Sequence, residues 1–319
     1  MIFIGRHMKP ARGLEYLFST MKMMSKQTRY FLQGLTFGSA YRIFGMIPVE
    51  RASNIGAVLG RKFGPLSSRT QVARANLRLA FPELEARDIE RIITSMWENL
   101  GRVLAEFPHV GKMNQEKFFH FVNVEGAEHV EEIKGRGTGS IFFSGHFANW
   151  ELAPKTLAML DCPLALVYRP GNNPYMDRVI QNTRNHYQSE AVPKGAEGSR
   201  LLVRALREQR HIGMLIDQKM NTGIPVKFFG REAMTATAIA VLALRFDCPV
   251  LPTRVERLEG PYHKVTIFPP LEIQKTGDQD RDIRTLMETI TVMFEEWIRA
   301  APAQWIWVHR RWPDNKGPE

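Results

Sequence analysis

Beyond Gly137 the chain alternates short apolar runs with helical stretches, and this alternation constrains the fold more than any other feature of the sequence. Five runs have the length of buried strands: 140–144, 164–168, 212–216, 250–255 and 265–268. Stretches with helical spacing lie between the first four, near 149–160, 174–187, 198–208 and 235–246. Strands that alternate with helices predict an α/β fold, with a central, mostly parallel sheet flanked by helices.

The remaining segments complete this prediction. Residues 258–261 are turn-rich and join the last two runs, which predicts an antiparallel hairpin and therefore a mixed sheet. A final helix is expected at 281–299. Helical spacing also covers 66–106, with a break at Pro82. We therefore expect one catalytic domain, 65–319, preceded by an N-terminal region, 1–64.

The N-terminal region combines positive charge with apolar residues. It holds ten Lys/Arg against two Glu, most of the chain's formal charge of +10. Its apolar stretch, 30–49, contains Gln33, Arg42 and three glycines. This composition predicts a helical region that lies on an anionic membrane surface. A single membrane span and an ordinary basic helix packed on its own domain are the alternatives.

The same features limit the compartment and the partners. The first apolar run is too short for a cleavable signal peptide, so we expect the protein on the cytoplasmic side. No recognised nucleic-acid-binding module accompanies the positive charge, so we expect no nucleic-acid partner. Cys162 and Cys248 lie far apart, which suggests neither a disulfide framework nor a zinc site.

The segment 140–152 carries the clearest candidate chemistry. A buried strand ends at Gly145, and Asn149 can cap the helix that follows, so His146 lies at the carboxyl end of a strand, where α/β sheets bind ligands. If the loop folds back over the first helical turn, Glu151 can orient His146 as a general base. There is no Gly-x-Ser-x-Gly, and a third metal ligand is missing, so neither a metal nor a cofactor is predicted. A purely structural histidine is the alternative.

This segment, Gly145-His146-Phe147-Ala148-Asn149-Trp150-Glu151, resembles the His-x4-Asp/Glu signature of the lipid A biosynthesis lauroyl/myristoyl acyltransferases, relatives of the glycerolipid acyltransferases. Further blocks resemble that family in the same order: 76–82, 167–174, 217–218, 228–230 and 305–312. The resemblance covers roughly residues 30–312. One departure is Asp217-Gln218-Lys219, where some members have Asp-His-Asp, which suggests a different donor or acceptor preference.

The resemblance implies a glycerolipid-acyltransferase-like fold and an activity without a cofactor. The acyl donor would be an acyl carrier protein thioester, and the acceptor a hydroxyl on a hydroxyacyl chain of a phosphorylated glucosamine disaccharide. His146 would be the general base and Glu151 its partner, at the cytoplasmic face of the bacterial inner membrane. The alternatives are an acyltransferase for another glycolipid or glycerolipid, with acyl-CoA as donor, and a non-catalytic lipid-binding protein of the same fold.

Several residues are candidates for substrate binding. Arg169 and Asp217 match further functional positions of the family; both end predicted strands, and they could pair across the crevice. Asn149 is a third candidate because it lies between His146 and Glu151. A guanidinium at Arg169 could bind a phosphate or a developing oxyanion, with a salt bridge at the sheet edge as the alternative.

Two further groups could contact phosphate. Lys227 and Arg231 precede a helix expected to begin near Thr235, whose open amides could complete an anion site; a solvated basic loop is the alternative. Arg310 lies among three tryptophans, Trp305, Trp307 and Trp312. That grouping predicts an aromatic belt at the membrane edge, with phosphate contacts from the neighbouring cations.

Overall fold

The structure, a computed structural model, describes residues 25–312 of the 319-residue chain. The first 24 residues of the predicted membrane-associating region therefore lie outside the described part. The helices are α1 Lys26–Phe44, α2 Val49–Phe63, α3 Arg69–Ala80, α4 Ala86–Val110, α5 Gln115–Phe121, α6 Ala127–Arg136, α7 Leu152–Met159, α8 Pro174–Arg184, α9 Ala196–Arg207, α10 Ala238–Phe246 and α11 Gln279–Ala300.

The strands form one large sheet and a separate hairpin. They are β1 Val122–Glu125, β2 Ile141–Ser144, β3 Leu164–Tyr168, β4 Gln188–Pro193, β5 Ile212–Leu215, β6 Lys219–Phe228, β7 Arg231–Thr235, β8 Val250–Arg257 and β9 His263–Ile267. The seven-stranded sheet has the order β1-β9-β8-β2-β5-β3-β4. Only the β8–β9 pair in it is antiparallel. The predicted mixed, mostly parallel sheet and its terminal hairpin are confirmed.

Helices cover both faces of the sheet, and this explains why its central strands are apolar throughout. Phe142 belongs to the same buried cluster as Leu157 of α7. Its neighbour Phe143 points to the other face and packs edge-on against Phe294 of α11, with ring centroids 5.8 Å apart. Successive side chains of a strand point to opposite faces, so a strand covered on both sides needs an unbroken apolar run.

The N-terminal helices pack closely on the rest of the chain. A Cβ on Gly56 of α2 would lie 2.4 Å from the carbonyl oxygen of Gly101 in α4, so these backbones touch. A Cβ on Gly34 of α1 would lie 2.3 Å from the Cβ of Tyr175 in α8. Within residues 25–312, no helix combines the length and the apolar character needed to cross a bilayer.

The tryptophans near the C-terminus are part of the core. Trp305 and Trp307 have no exposed surface, and Trp312 is 2% exposed. Arg311 is buried with them and donates to the Met234 carbonyl oxygen at 3.0 Å and to Thr235 Oγ1 at 2.8 Å. The predicted aromatic belt at the membrane edge is therefore wrong: these rings close the core behind the sheet.

Candidate active site

His146 lies in the loop between β2 and α7, at the carboxyl edge of the sheet. Its ring is 17% exposed. Strand β5 pairs directly with β2, so the residues that follow both strands meet at this edge. Asp217 follows β5 and lies beside His146, although the two are 71 positions apart in the chain. The sheet order, rather than sequence proximity, assembles the site.

Asp217 holds His146 at two points. One carboxylate oxygen bonds Nδ1 of the imidazole at 2.8 Å, and the other accepts the backbone N–H of His146, also at 2.8 Å. Trp305 Nε1 donates to that second oxygen at 2.8 Å. An ionised Asp217 requires the proton on Nδ1, so Nε2 is left as the basic nitrogen. Gln218 Nε2 lies 3.4 Å from this atom.

The charge of Asp217 is secured by these contacts. Burial alone would raise the pKa of this carboxyl, which is 1% exposed. The facing His146 imidazole and the hydrogen bonds from it hold that pKa well below its ordinary value. A buried anion at Nδ1 favours the imidazolium that forms when Nε2 takes a proton, so the pair can act as a general base.

Glu151 has different partners from those expected. It is the residue before α7, and its carboxylate accepts from Tyr187 Oη at 2.6 Å, from Trp150 Nε1 at 3.1 Å and from Arg184 Nε at 3.0 Å, with a second bond from Arg184. The predicted contact between Glu151 and the His146 imidazole is thus replaced by Asp217. Burial raises the pKa of Glu151, but Arg184 and these donors bring it below its ordinary value.

Glu151 nevertheless acts on the His146 imidazole indirectly, through Trp150. Trp150, which donates to Glu151, packs edge-on against the His146 imidazole with ring centroids 5.2 Å apart. The ion pair with Arg184 also ties the loop to α8. Glu151 therefore holds a wall of the site.

An apolar cavity extends from the site between α7 and the sheet. Its volume is about 50 Å³, and it begins at Ser144 and Trp150, which flank His146 in sequence. Glu151 and Arg184 supply polar atoms to its wall. The rest of the lining is mostly apolar: Phe142, Phe143, Ala153, Pro154, Leu157, Leu164, Leu166, Val167, Gly213, Met214, Leu215 and Thr253. A narrow apolar cavity beside an imidazole can take part of a hydrocarbon chain.

The other candidate residues are distributed around this centre. Arg169 follows β3 and is exposed at the same edge of the sheet. It does not neutralise Asp217 as predicted, since His146 and Trp305 occupy both oxygens of that carboxylate. Asn149 is buried and donates to Glu106 Oε2 at 2.9 Å, whereas the cap position before α7 belongs to Glu151. Asn149 does not cap the helix.

Lys227 and Arg231 lie at the tip of the β6–β7 hairpin and are exposed. The rest of β7, which begins at Arg231, lies between them and α10, which begins at Ala238. The predicted anion site that would combine these cations with helix amides is therefore not formed. Arg310 is exposed beside the buried Arg311, and its contact with phosphate stays a prediction.

Sequence analysis missed Arg184, Tyr187 and the role of Trp305. Arg184 and Tyr187 fall at the end of a predicted helix with no distinguishing pattern. In α4, by contrast, the sequence does indicate a buried polar contact. There Glu106 interrupts an apolar face that includes Val103 and Phe107, and a charged residue in such a position usually has a buried partner.

A histidine–aspartate pair at the carboxyl edge of an α/β sheet, beside an apolar cavity, is the arrangement of an enzyme site in which a histidine can act as a general base. Comparison with known families agrees with this class. The chain belongs to the bacterial lipid A biosynthesis acyltransferase family, whose model matches residues 20–314. It is therefore an acyltransferase, and its acyl transfer serves lipid A biosynthesis.

Characterised relatives cover most of the chain at low identity. The lipid A biosynthesis palmitoleoyltransferase of Escherichia coli K12 is 25% identical over 288 residues, 89% of this chain and 91% of the relative. The lauroyltransferase of the same organism is 24% identical over 291 residues, 89% of this chain and 92% of its own length. The myristoyltransferase is 24% identical over 269 residues, 82% and 81% of the two chains.

Proposed function

We propose that the protein transfers a fatty acyl chain from an acyl carrier protein thioester to a hydroxyl on a hydroxyacyl chain of a phosphorylated glucosamine disaccharide. This is a late acylation of the lipid A precursor, carried out at the cytoplasmic face of the bacterial inner membrane. The observation that carries the proposal is the bond between His146 Nδ1 and Asp217 at 2.8 Å, which leaves Nε2 as a base beside the apolar cavity.

The chemistry follows from this arrangement. Nε2 of His146 takes the proton of the acceptor hydroxyl as its oxygen attacks the thioester carbonyl carbon. The imidazolium is stabilised by the buried Asp217 carboxylate. The carbon–sulfur bond then breaks, and the departing thiolate recovers the proton from the imidazolium. The base is restored, and the net change is one ester formed and one thioester consumed.

The cavity between α7 and the sheet is the proposed site of the donor's acyl chain. Its lining is mostly apolar, and Trp150 contacts both the cavity and the His146 ring. The three relatives from E. coli are named for palmitoleoyl, lauroyl and myristoyl transfer, so the family accommodates different chains. Arg169, exposed at the same edge, is the proposed contact for a phosphate of either substrate.

The N-terminal helices are the proposed membrane contact. The exposed large apolar side chains of the described chain are concentrated there: Phe31, Leu32, Leu35, Ile43, Met46, Ile55, Val58, Leu59, Phe63 and Leu66. Basic residues accompany them, among them Arg42, Arg61 and Lys62. Apolar burial together with cations suits an anionic bilayer surface, where the lipid acceptor resides.

The test is acyl transfer to a phosphorylated, tetra-acylated disaccharide, followed by mass spectrometry. Acyl carrier protein thioesters and acyl-CoA are offered as donors, and a glycerolipid as a competing acceptor. His146→Ala is expected to lose about 10² to 10⁴ of the rate, the usual contribution of a general base. His186→Ala, at an exposed histidine two residues beyond the end of α8, is the matched control and should keep wild-type turnover.

Three results would contradict the proposal. If folded His146→Ala keeps more than about a tenth of the wild-type rate, His146 is not the general base. Efficient transfer from acyl-CoA but not from the carrier protein would replace the donor, and a preference for the glycerolipid would replace the acceptor. Thermal melts of both variants separate a loss of chemistry from a loss of fold.

A further inference from the structure

We infer that a buried ion pair, Glu106 with Arg257, positions the loop that carries His146, and that Asn99 and Asn149 connect the pair to the loop. The four residues are then positioning residues for acyl transfer, since they act through the loop rather than on the substrate. This inference rests on the proposed role of His146 and adds to it the device that fixes where the base lies.

The ion pair joins two elements far apart in sequence. Glu106 lies on α4 and is 3% exposed, and Arg257 ends β8 with a side chain 8% exposed. Arg257 Nη1 donates to one carboxylate oxygen at 2.5 Å, and Nη2 donates to the other at 3.0 Å. This two-pronged geometry fixes direction as well as distance. Ser53 of α2 adds a third donor at 2.7 Å.

Each member of the pair is bonded to the loop through one asparagine. Asn149 Nδ2, in the loop itself, donates to Glu106 Oε2 at 2.9 Å. Arg257 Nε donates to Asn99 Oδ1 at 2.8 Å, and Asn99 Nδ2 donates to the carbonyl oxygen of Ala148 at 3.2 Å. The carboxylate and the guanidinium thus each hold a neighbouring residue of the loop.

The opposite side of the loop is held by the C-terminal segment. Ala148 N–H donates to the Gln304 carbonyl oxygen at 2.8 Å, and Ile306 N–H donates to the His146 carbonyl oxygen at 3.2 Å. Gln304 is in turn bonded to the backbone of Arg257 in both directions, at 2.8 and 2.9 Å. Arg257 therefore anchors the loop on two sides.

The backbone of the loop requires such an anchor. Ala148 has a φ of +47°, in the left-handed region, which is strained for a non-glycine residue. Strained residues persist only where the surroundings over-determine them, and they cluster at functional sites. Ala148 lies two residues after His146 and two before Trp150, the ring against the imidazole. Relaxation of this residue would change the backbone direction between His146 and Trp150.

The charge of Glu106, and with it the ion pair, does not change near neutral pH. Burial would raise the pKa of Glu106, but Arg257 and the neighbouring donors lower it to about 2, so the carboxylate stays ionised at neutral pH. A buried ion pair adds little net stability compared with apolar residues of similar size. Its directional bonds to both sides of the loop give it a geometric purpose instead.

Three variants test the inference. Asn99→Ala and Asn149→Ala each remove one link to the loop and leave the ion pair intact. Glu106→Gln removes the charge, and since it leaves Arg257 buried without a counter-charge, it is expected to lower Tm. Asp282→Asn is the matched control: a buried carboxylate at the start of α11 that bonds Thr276. It should lower Tm and keep turnover.

We expect kcat to fall about tenfold or more in each folded variant of Asn99, Asn149 and Glu106, with KM for both substrates nearly unchanged. The reason is that small displacements of a reacting group cost up to about 10² in rate. The downfield proton resonance of the His146–Asp217 hydrogen bond should shift or broaden in these variants and remain in Asp282→Asn. A residue with only a stabilising role would leave both readouts unchanged in the folded protein.

The outcomes separate this inference from the proposed function. If His146→Ala is inactive while folded Asn99→Ala and Asn149→Ala turn over like wild type, the positioning role is wrong and the base assignment stands. If Asn149→Ala raises KM at unchanged kcat, Asn149 binds substrate directly, which also overturns the inference. If His146→Ala itself stays active, the proposed general base fails first.

Discussion

At the scale of single residues, two carboxylates lie near His146 and have different tasks. Asp217 contacts the imidazole and the backbone of the same residue. Glu151 neutralises Arg184 and holds Trp150 against the ring. One carboxylate can therefore influence the charge of the base directly, and the other only its surroundings.

Asp217→Asn and Glu151→Gln distinguish these tasks. Asp217→Asn removes the anion that favours imidazolium and lets an amide donor face Nδ1, so turnover should fall by about 10² to 10⁴. Glu151→Gln leaves Arg184 without its counter-charge, a change that costs on the order of 3–5 kcal/mol when a buried pair is broken. Its main effect should be a lower Tm, with turnover in the cold less affected than in Asp217→Asn.

The comparison is made by initial rates at low temperature beside thermal melts. If folded Glu151→Gln is slower than Asp217→Asn, then Glu151 rather than Asp217 stabilises the imidazolium. Wild-type turnover in Asp217→Asn would show that Asp217 has no role in catalysis.

The position of His146 could be predicted from sequence, but its partner could not. A histidine directly after an apolar run, before a helix, predicts the carboxyl edge of a sheet, and the same rule applies to Asp217. Pairing His146 with Glu151 relied on a separation of five residues. The observed pairing depends instead on β2 lying beside β5, and strand order is not written in local patterns.

At the scale of elements, α2 presents an unusual outer face. Ile55, Val58, Leu59 and Phe63 are spaced three and four residues apart and are 43–52% exposed. Its buried side instead touches α4 through Gly56. An apolar stripe that points away from the protein suits a bilayer surface. Deleting residues 1–64 would also remove the contact with α4, so point variants test the surface better.

The variant Val58→Ser with Leu59→Ser should weaken binding to vesicles of phosphatidylethanolamine and phosphatidylglycerol. High salt should weaken binding of the wild type only in part, because apolar burial is not screened, whereas charge is screened within about 8 Å. Flotation is the measurement. Val292→Ser, at a side chain of α11 that is 53% exposed, is the control. Equal flotation of all three proteins would exclude α2 as the membrane contact.

Elements with strong patterns were predictable, and edge elements were not. β3 was predicted to the residue, because its sequence, Leu164–Tyr168, is an unbroken apolar run. β4 escaped because its sequence, Gln188–Pro193, is polar and ends in proline, as edge strands often do. β1 escaped because four residues with an exposed edge carry too short a pattern, and its partner β9 lies about 140 positions away.

At the scale of the whole molecule, buried histidines make stability depend on pH. Burial lowers the pKa of His309 to about 4 and that of His263 to about 3, from an ordinary value of 6.5. Below pH 6.5 these two histidines therefore bind protons in the unfolded chain but stay neutral in the folded chain. The stabilisation is complete above that value and is lost as the pH falls toward the folded pKa values. Glu106 adds a further loss below about pH 4.5.

Tm should accordingly fall as the pH is lowered from about 6.5 to about 4. His309→Gln removes one of the groups responsible, so its Tm should depend less on pH over this range, whatever its value at neutral pH. Calorimetry at a series of pH values is the measurement, with the exposed His186→Ala as the control that keeps the wild-type slope. An unchanged slope in His309→Gln would show that this side chain is not buried in its neutral form.

The contact between Gln218 and His146 bears on how the enzyme first meets its acceptor. The amide nitrogen lies 3.4 Å from Nε2, the atom that would accept a proton. If His146 is the base, the acceptor hydroxyl has to displace this amide, and its apparent affinity would be lower than the intrinsic one according to the fraction of molecules in which the amide has moved aside.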